Sequence, residues 1–396
     1  MAPERIEPDI EFINNVIASG GDSLKKCFQC ATCSVTCALA PDKRPFPRKE
    51  MIWAQWGLKN KLVADPDVWL CNQCNDCSTH CPRGARPGDV MAAIRKESVI
   101  HYAIPGFLGK WVNQPKYLPL LLLIPTVLLG LALLVRHPIE NALGMAKGVS
   151  ERILYSNTTI FPHWLLNSFF IFFSVLVIIA MIGGIVRLWR VMKSYDMQNG
   201  NKTPVKSLGR SILAALKKVL VHDDFTMCTT ERLRYIAHMC VFYGFIALFL
   251  VMIWIVTARY NPLIHSDFIY IFSFFSPWKI LANVGGSAML IGIFLMIFQR
   301  LKERDKEVAN TYFDWAFILT LLAVLVTGFA TEVFHYGRVQ HLRYIAYFIH
   351  LVFVFTLLMY LPYSKFAHLI YRTTAMTYAE YSGRDTGVQV AELEKK

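Results

Sequence analysis

The chain has 396 residues, of which 55% are hydrophobic, above the roughly 45–50% of an ordinary soluble domain. Its formal charge of +13 would suit a nucleic-acid binder, but the cations cluster beside apolar spans. The positive-inside rule accounts for that placement, so no nucleic-acid partner is expected.

The N-terminal region carries one cysteine pattern twice: Cys27, Cys30, Cys33 and Cys37, then Cys71, Cys74, Cys77 and Cys81, the last followed by Pro82. Three thiolates at intervals of three residues wrap three irons of a cubane, and the fourth cysteine of such a run ligates the other cluster in two-cluster ferredoxins. The expected sets are therefore Cys27, Cys30, Cys33 and Cys81 for one [4Fe–4S] cluster, and Cys71, Cys74, Cys77 and Cys37 for the other. Disulfides would need an oxidising compartment, and no signal-peptide pattern precedes these cysteines. Zinc sites favour two short pairs over a tight run of four. The two remaining cysteines, Cys228 and Cys240, have no ligand-spaced partner and read as packing residues.

Between the runs, Arg48 to Val63 places Met51, Ile52, Trp56, Leu58 and Leu62 near helical spacing, with Gly57 weakening it. A second helix is expected from Pro87 to Ile100, and His101–Trp111 reads as an interfacial lead-in. Six apolar spans follow: Leu118–Val135, Trp164–Leu188, Tyr235–Val256, Ile280–Phe298, Trp315–Phe334 and Tyr344–Tyr363, the last running on to Tyr371. The fold class expected is all-α, an α-helical two-cluster ferredoxin domain (1–105) followed by a six-helix transmembrane bundle (106–372) and a polar cytoplasmic tail (373–396). Connectors 187–234, 299–314 and 365–396 hold nineteen Lys and Arg; 136–163, 259–279 and 334–344 hold seven. The richer side is cytoplasmic, which puts both termini and the cluster domain in the cytoplasm and the chain in the inner membrane. The amphipathic stretch Val205–Val221 lies on the anionic leaflet or docks an acidic partner. His222 after it reads as structural.

Ionisable residues within a bilayer default to functional hypotheses. His350 and His368 are eighteen residues apart, five turns of one helix, which suits two stacked cofactors. His368 and His238 lie at matched depth and form the expected bis-histidine pair of an inner haem b, with Arg232, Arg234, Lys365 and Arg372 for its propionates. His350 needs an outer partner; His163 is favoured, then His335, with His265 and His341 behind. Glu332 and His335, near His350, are candidates for a quinone pocket in which a lipid-facing carboxylate with a raised pKa accepts protons. The rival reading pairs Glu332 with Arg338, and a cytoplasmic alternative places the pocket near His238 and Asp314.

These residues carry a resemblance. The head resembles the small iron–sulfur C component of heterodisulfide reductases across residues 20–100. Spans two to six resemble the cytochrome b subunit of respiratory nitrate reductase and of the membrane heterodisulfide reductase, through His350 and Pro362-Tyr363-Ser364-Lys365-Phe366-Ala367-His368, and through His238 with Gly244. That family often has a second histidine ten residues after the first; here the position is Leu248. The fusion resembles the membrane subunit family of the quinone-interacting membrane-bound oxidoreductase complex of sulfate reducers. What this implies is electron exchange between menaquinone and cytoplasmic flavin/iron–sulfur subunits, linked to adenylylsulfate reductase. The alternative is the same wire in a heterodisulfide- or sulfite-reductase-linked complex. A transporter would show internal repeats, and a purely structural anchor would not need stacked histidines.

Overall fold

The computed structural model describes residues 7–41, 44–142, 160–199, 204–222, 227, 232–260, 274–302 and 311–384. Among these every regular element is a helix. In the head, α1 (Ile10–Val16) is capped by Asp9, whose carboxylate accepts the Phe12 amide at 2.8 Å. Short helices α2 (Thr32–Thr36), α5 (Asp67–Leu70) and α6 (Asp76–Thr79) surround the cysteines. The helix expected over 48–63 is two helices, α3 (Arg48–Gln55) and α4 (Lys59–Ala64). Gly57 separates them at φ +66°, and a Cβ there would meet Asp9 backbone at 2.8 Å. The long α7 (Pro87–Tyr102) starts on a proline, which costs no intrahelical bond at that position. It carries Val90, Met91 and Ile94 into a core shared with Met51, Leu62 and Trp69. Helix α8 (Gly106–Val112) leads to the membrane region.

Six helices are long and apolar enough to cross a membrane: α9 (Leu118–Ala142), α10 (His163–Gln198), α12 (Arg232–Tyr260), α13 (Pro277–Lys302), α14 (Tyr312–Tyr336) and α15 (Gln340–Met359), with α11 (Leu208–Val221) between the second and third. Large apolar side chains such as Phe172, Ile179, Leu213 and Phe294 stand exposed along them, an outward surface that only lipid or another apolar partner covers. Small residues let α12 and α13 approach closely: a Cβ on Gly244 would lie 2.6 Å from Gly285 O.

The last span does not continue to Tyr371. It stops at Met359, passes through a 3₁₀ turn (Leu361–Tyr363), and resumes as α16 (Ala367–Tyr381). Pro362 has no N–H and disfavours a helical residue before it. The interruption is tied down: Tyr360 donates its hydroxyl to Leu121 O at 3.1 Å, Tyr363 to Ile104 O at 2.6 Å, and Asn113 donates to Tyr363 O at 3.0 Å. His350 and His368 therefore sit on different helices, contrary to the single-helix expectation.

Residues 373–384, expected as polar tail, also differ. Thr374 to Ala379 are buried on α16, which packs Tyr371 against Trp69 and Tyr102 of the head (centroids 5.2 and 5.9 Å) and against Gly184 of α10. Tyr378 donates to Asp196 at 2.8 Å. Residues 385–396 lie outside the described residues. Helix α11 lies along α16, and two cations of the 205–221 stretch pair with Glu380: Lys206 at 2.7 Å and Lys218 at 3.0 Å. Head, α11 and α16 thus gather at one end of the bundle.

Candidate electron-transfer site

The two cysteine runs fold as pseudo-equivalent loops. Gln29 and Ala31 in the first, and Gln73 and Asn75 in the second, all have φ between +56° and +70°. Each pair occupies the same place relative to its cysteines, so the chain turns back around the thiols twice per run. For Ala31 this is an uncommon conformation, and it opens α2 as Asn75 opens α6.

The fold sorts the thiols into two groups. Burial, then the neighbouring Cys27, Cys30 and Cys81, push the Cys33 thiol up to about 11. Burial with Cys71 and Cys74 pushes Cys37 up to about 12, and Cys77 is raised further by burial, Cys71, Cys37 and Cys74. Cys37 thus faces the second run's thiols and Cys81 the first's. Thiols so crowded in a desolvated pocket resist ionising by themselves; a cationic iron cluster removes that penalty, so the donor set fits one.

The second loop is the one that meets the membrane region. Arg95 of α7 and Arg372 of α16 donate to Cys71 O at 3.0 and 3.1 Å, Arg372 also donates to Asn72 Oδ1, and Arg234 of α12 donates to Gln73 O at 2.6 Å. Two of the four cations expected at haem propionates, Arg234 and Arg372, are thereby bound to the head loop. Lys365 is paired with buried Asp314, which Arg300 also approaches at 3.4 Å. Arg232 is exposed.

One continuous cavity of about 1350 Å³ extends from this loop into the bundle, larger than the roughly 300–1,000 Å³ of a site for one small ligand. His238, His350 and His368 all line it, as do Arg95, Arg234 and Arg372. His368 Nδ1 lies 2.8 Å from Lys365 O, and His350 Nδ1 lies 3.0 Å from Val324 O and 3.1 Å from Thr327 Oγ1. A carbonyl only accepts, so Nδ1 carries the proton and Nε2 the lone pair, the arrangement of a metal-ligating imidazole. Gly328 lets the His350 ring lie against α14, 3.1 Å from where a Cβ would stand. The residues present therefore fit the imidazole ligands of a haem.

The outer partners are less well placed. His163 begins α10, but its side chain, like all of His265, lies outside the described residues. His341 is exposed, and Leu248 lines the cavity. His335 accepts from buried Arg343 through Nδ1 at 3.1 Å, which commits that lone pair and leaves Nε2–H as a donor. Glu332 lines the cavity but is not a lone carboxylate beside lipid: Lys279 pairs with it at 2.8 Å and Asn283 donates at 3.2 Å. Its partner is Lys279 rather than Arg338.

Sequence reasoning gave His222 no place in the site, yet its ring lies 5.2 Å from that of His238 and it also lines the cavity. Arg95 and Asn72 were missed altogether. No local signal marks any of the three: Arg95 and Asn72 acquire their places only when the head docks on the bundle, and His222 only when the end of α11 packs against α12.

Residues 23–85 match the family model of the 4Fe-4S dicluster domain. Over 110 residues the chain is 38% identical to the C component of the H(2):CoB-CoM heterodisulfide,ferredoxin reductase of Methanothermobacter marburgensis, covering 26% of this chain and 59% of that protein. It is 25% identical over 146 residues to the E component of the dihydromethanophenazine:CoB–CoM heterodisulfide reductase of Methanosarcina thermophila, covering 35% of this chain and 55% of that one. A longer match, 27% identical over 330 residues, joins 78% of this chain to 80% of the citrate utilization protein B of Escherichia coli. The chain thus spans about six-tenths of the Methanothermobacter relative. No solved structure matches. The head is a two-cluster iron–sulfur domain like the C component of heterodisulfide reductases, followed by six helices long and apolar enough to cross a membrane, and part of the chain is similar to the E component of such a reductase.

Proposed function

We propose that the chain is a quinone-reactive electron-transfer subunit, exchanging electrons between menaquinol and cytoplasmic flavin/iron–sulfur partners through haem b and two [4Fe–4S] clusters. The observation that carries this reading is the cavity in which His238, His350 and His368 share walls with arginines bound to the Cys71–Gln73 loop. A quinol releases two electrons and two protons, whereas haems and cubanes pass electrons singly. The chain's own residues hold the carriers in sequence: histidines in the bundle, then the Cys71 set, then the Cys27 set. Lys279–Glu332 and His335, towards the other end of the bundle, supply polar groups for a quinol, with His335 Nε2–H as donor. The soluble partner belongs to sulfate respiration, by way of adenylylsulfate reductase, or to a heterodisulfide-type complex. A second reading, in which the wire serves organic-acid oxidation, is favoured by the relative matched across both modules, a citrate utilization protein.

The test is purification of the full chain in detergent, with haem and iron quantified and a menaquinol analogue added anaerobically. Haem b reduced by the quinol, followed by the clusters, is the expected result. A haem-free protein with intact clusters would refute the reading.

A further inference from the structure

The two pseudo-equivalent cysteine loops have opposite surroundings. Asn72, one residue after Cys71, is 7% exposed and receives Arg372. Phe28, one residue after Cys27, is 66% exposed. A buried amide and an exposed aromatic invert the usual preference of these residue types. The first is explained by the membrane-side arginines. The second needs an explanation of its own.

Around Phe28 the surface has an interface's composition. Val35 is 86% exposed, and Cys30, two residues after Phe28, is exposed as well. The Arg83 guanidinium lies 4.0 Å from the Phe28 ring centroid, a cation–π contact that holds the aromatic outward. Arg48 donates to Gln29 O at 3.1 Å and is itself exposed, as are Lys25 and Lys26. The nearby carboxylate of Asp22 is taken up by Arg86 at 2.5 Å. Exposed aromatic and arginine side chains at an apolar centre within a charged rim are features of association sites, and here the rim is positive.

We infer that this face docks a soluble redox protein whose own docking surface is acidic around an apolar centre, and that the Cys27 set hands electrons to it. The inference rests on the wire proposed above and deepens it by naming the exit and the charge of the partner. The Cys71 set, clasped by Arg95, Arg234 and Arg372, faces the membrane carriers. The Cys27 set is instead held from within the head, by Arg48 on Gln29 O and by Gln55 on Cys27 O at 3.0 Å, and lies under the exposed loop. One electron leaves the reduced Cys27 cluster and reduces the partner's one-electron centre, with no proton or bond change in this chain. Complementary charge raises the encounter rate, and salt removes that gain.

The test starts from the full chain in detergent with its clusters reduced by dithionite and the excess removed, so it reads independently of whether quinol is a donor. Rubredoxin, acidic and coloured, and the basic cytochrome c serve as acceptors in stopped-flow mixing. Rubredoxin should be reduced rapidly at low salt, with a rate that falls steeply as salt rises; cytochrome c should be slow at low salt and gain from added salt. The double variant Lys26→Glu/Arg83→Glu should lower the rubredoxin rate about tenfold at low salt, with both cluster EPR signals unchanged. Lys193→Glu, an exposed basic site on α10, should leave it unchanged. Val35→Asp should slow rubredoxin at all salt concentrations. Preference for cytochrome c at low salt, or a Lys193→Glu effect equal to that of the double variant, would overturn the assignment.

Discussion

Replacing Arg384 by alanine removes one of two cations that face three buried carboxylates of the head. Lys49 Nζ lies 2.6 Å from Asp65, 2.9 Å from Asp67 and 3.2 Å from Glu50. Arg384, from beyond the end of α16, pairs with Asp67 and reaches Asp65 at 3.9 Å. Three negative groups against two positive leave one in surplus. That one is Glu50, 0% exposed and with neither carboxylate oxygen hydrogen-bonded. Burial, then Asp65 and Asp67, outweigh Lys49 and hold its pKa well above the ordinary carboxylate range. Asp65 goes the other way: burial would raise it, but Lys49 and Arg384 prevail and hold it low. Uncovering a buried ion cluster on one side costs about 3–5 kcal/mol, and Arg384→Ala should fall in that range. Glu50→Gln in the same background should restore part of the loss. Each unit of upward shift that it relieves is worth about 1.4 kcal/mol. The sign follows from linkage. A raised carboxyl contributes its stability below the unfolded pKa and loses it as pH rises, so Glu50→Gln gains most at pH 8 and little at pH 4. The depressed Asp65 contributes above the unfolded pKa and loses its share as pH falls, so Asp65→Asn loses most at pH 8. Thermal unfolding in detergent, followed by tryptophan fluorescence at several pH values, measures both. Glu50→Gln as damaging as Asp65→Asn at pH 8 would refute the assignment of the surplus charge.

Three further outcomes are expected. Cys81→Ser should disturb the EPR signal of the cluster held by Cys27, Cys30 and Cys33, and a loss confined to the other cluster would exclude crossed ligation. His238→Ala and His368→Ala should remove the same low-spin haem absorbance component, as resolved in reduced-minus-oxidised spectra; different components would separate that pair. Glu332→Gln, which leaves Lys279 without its carboxylate partner, should slow haem reduction by a menaquinol analogue at full haem content, and an unchanged rate would place the quinol near His238 and Asp314.

Much of this architecture was legible because its signals are local. The spacing of Cys27 to Cys37 and of Cys71 to Cys81 specifies both loops, and apolar runs of bilayer length specify the spans. Pro362 was legible in principle, since a proline near the end of an apolar run interrupts a helix, but the five-turn interval between His350 and His368 pointed the other way. The helix through 373–381 was hidden because Thr374, Thr377 and Tyr378 read as polar in sequence; their hydroxyls are satisfied by Ile370 O, Thr373 O and Asp196 once buried. The partners of Glu332 and Lys365 were equally out of reach. Lys279 and Asp314 are 53 and 51 positions away in the chain, and only helix packing brings them close.

The contact between Arg384 and Asp67 closes a loop of 317 residues. A ribosome adding roughly 5–20 residues per second takes about 15–60 s to travel that far. During that interval the head has emerged, the six spans are still being inserted, and the acidic trio has only Lys49 for company. The head therefore reaches its final charge balance only after the last membrane helix has been made and α16 has folded back onto it. This late-arriving arginine ties the end of α16 to the acidic trio of the head, so a chain cut short before Arg384 lacks one of the trio's two cations.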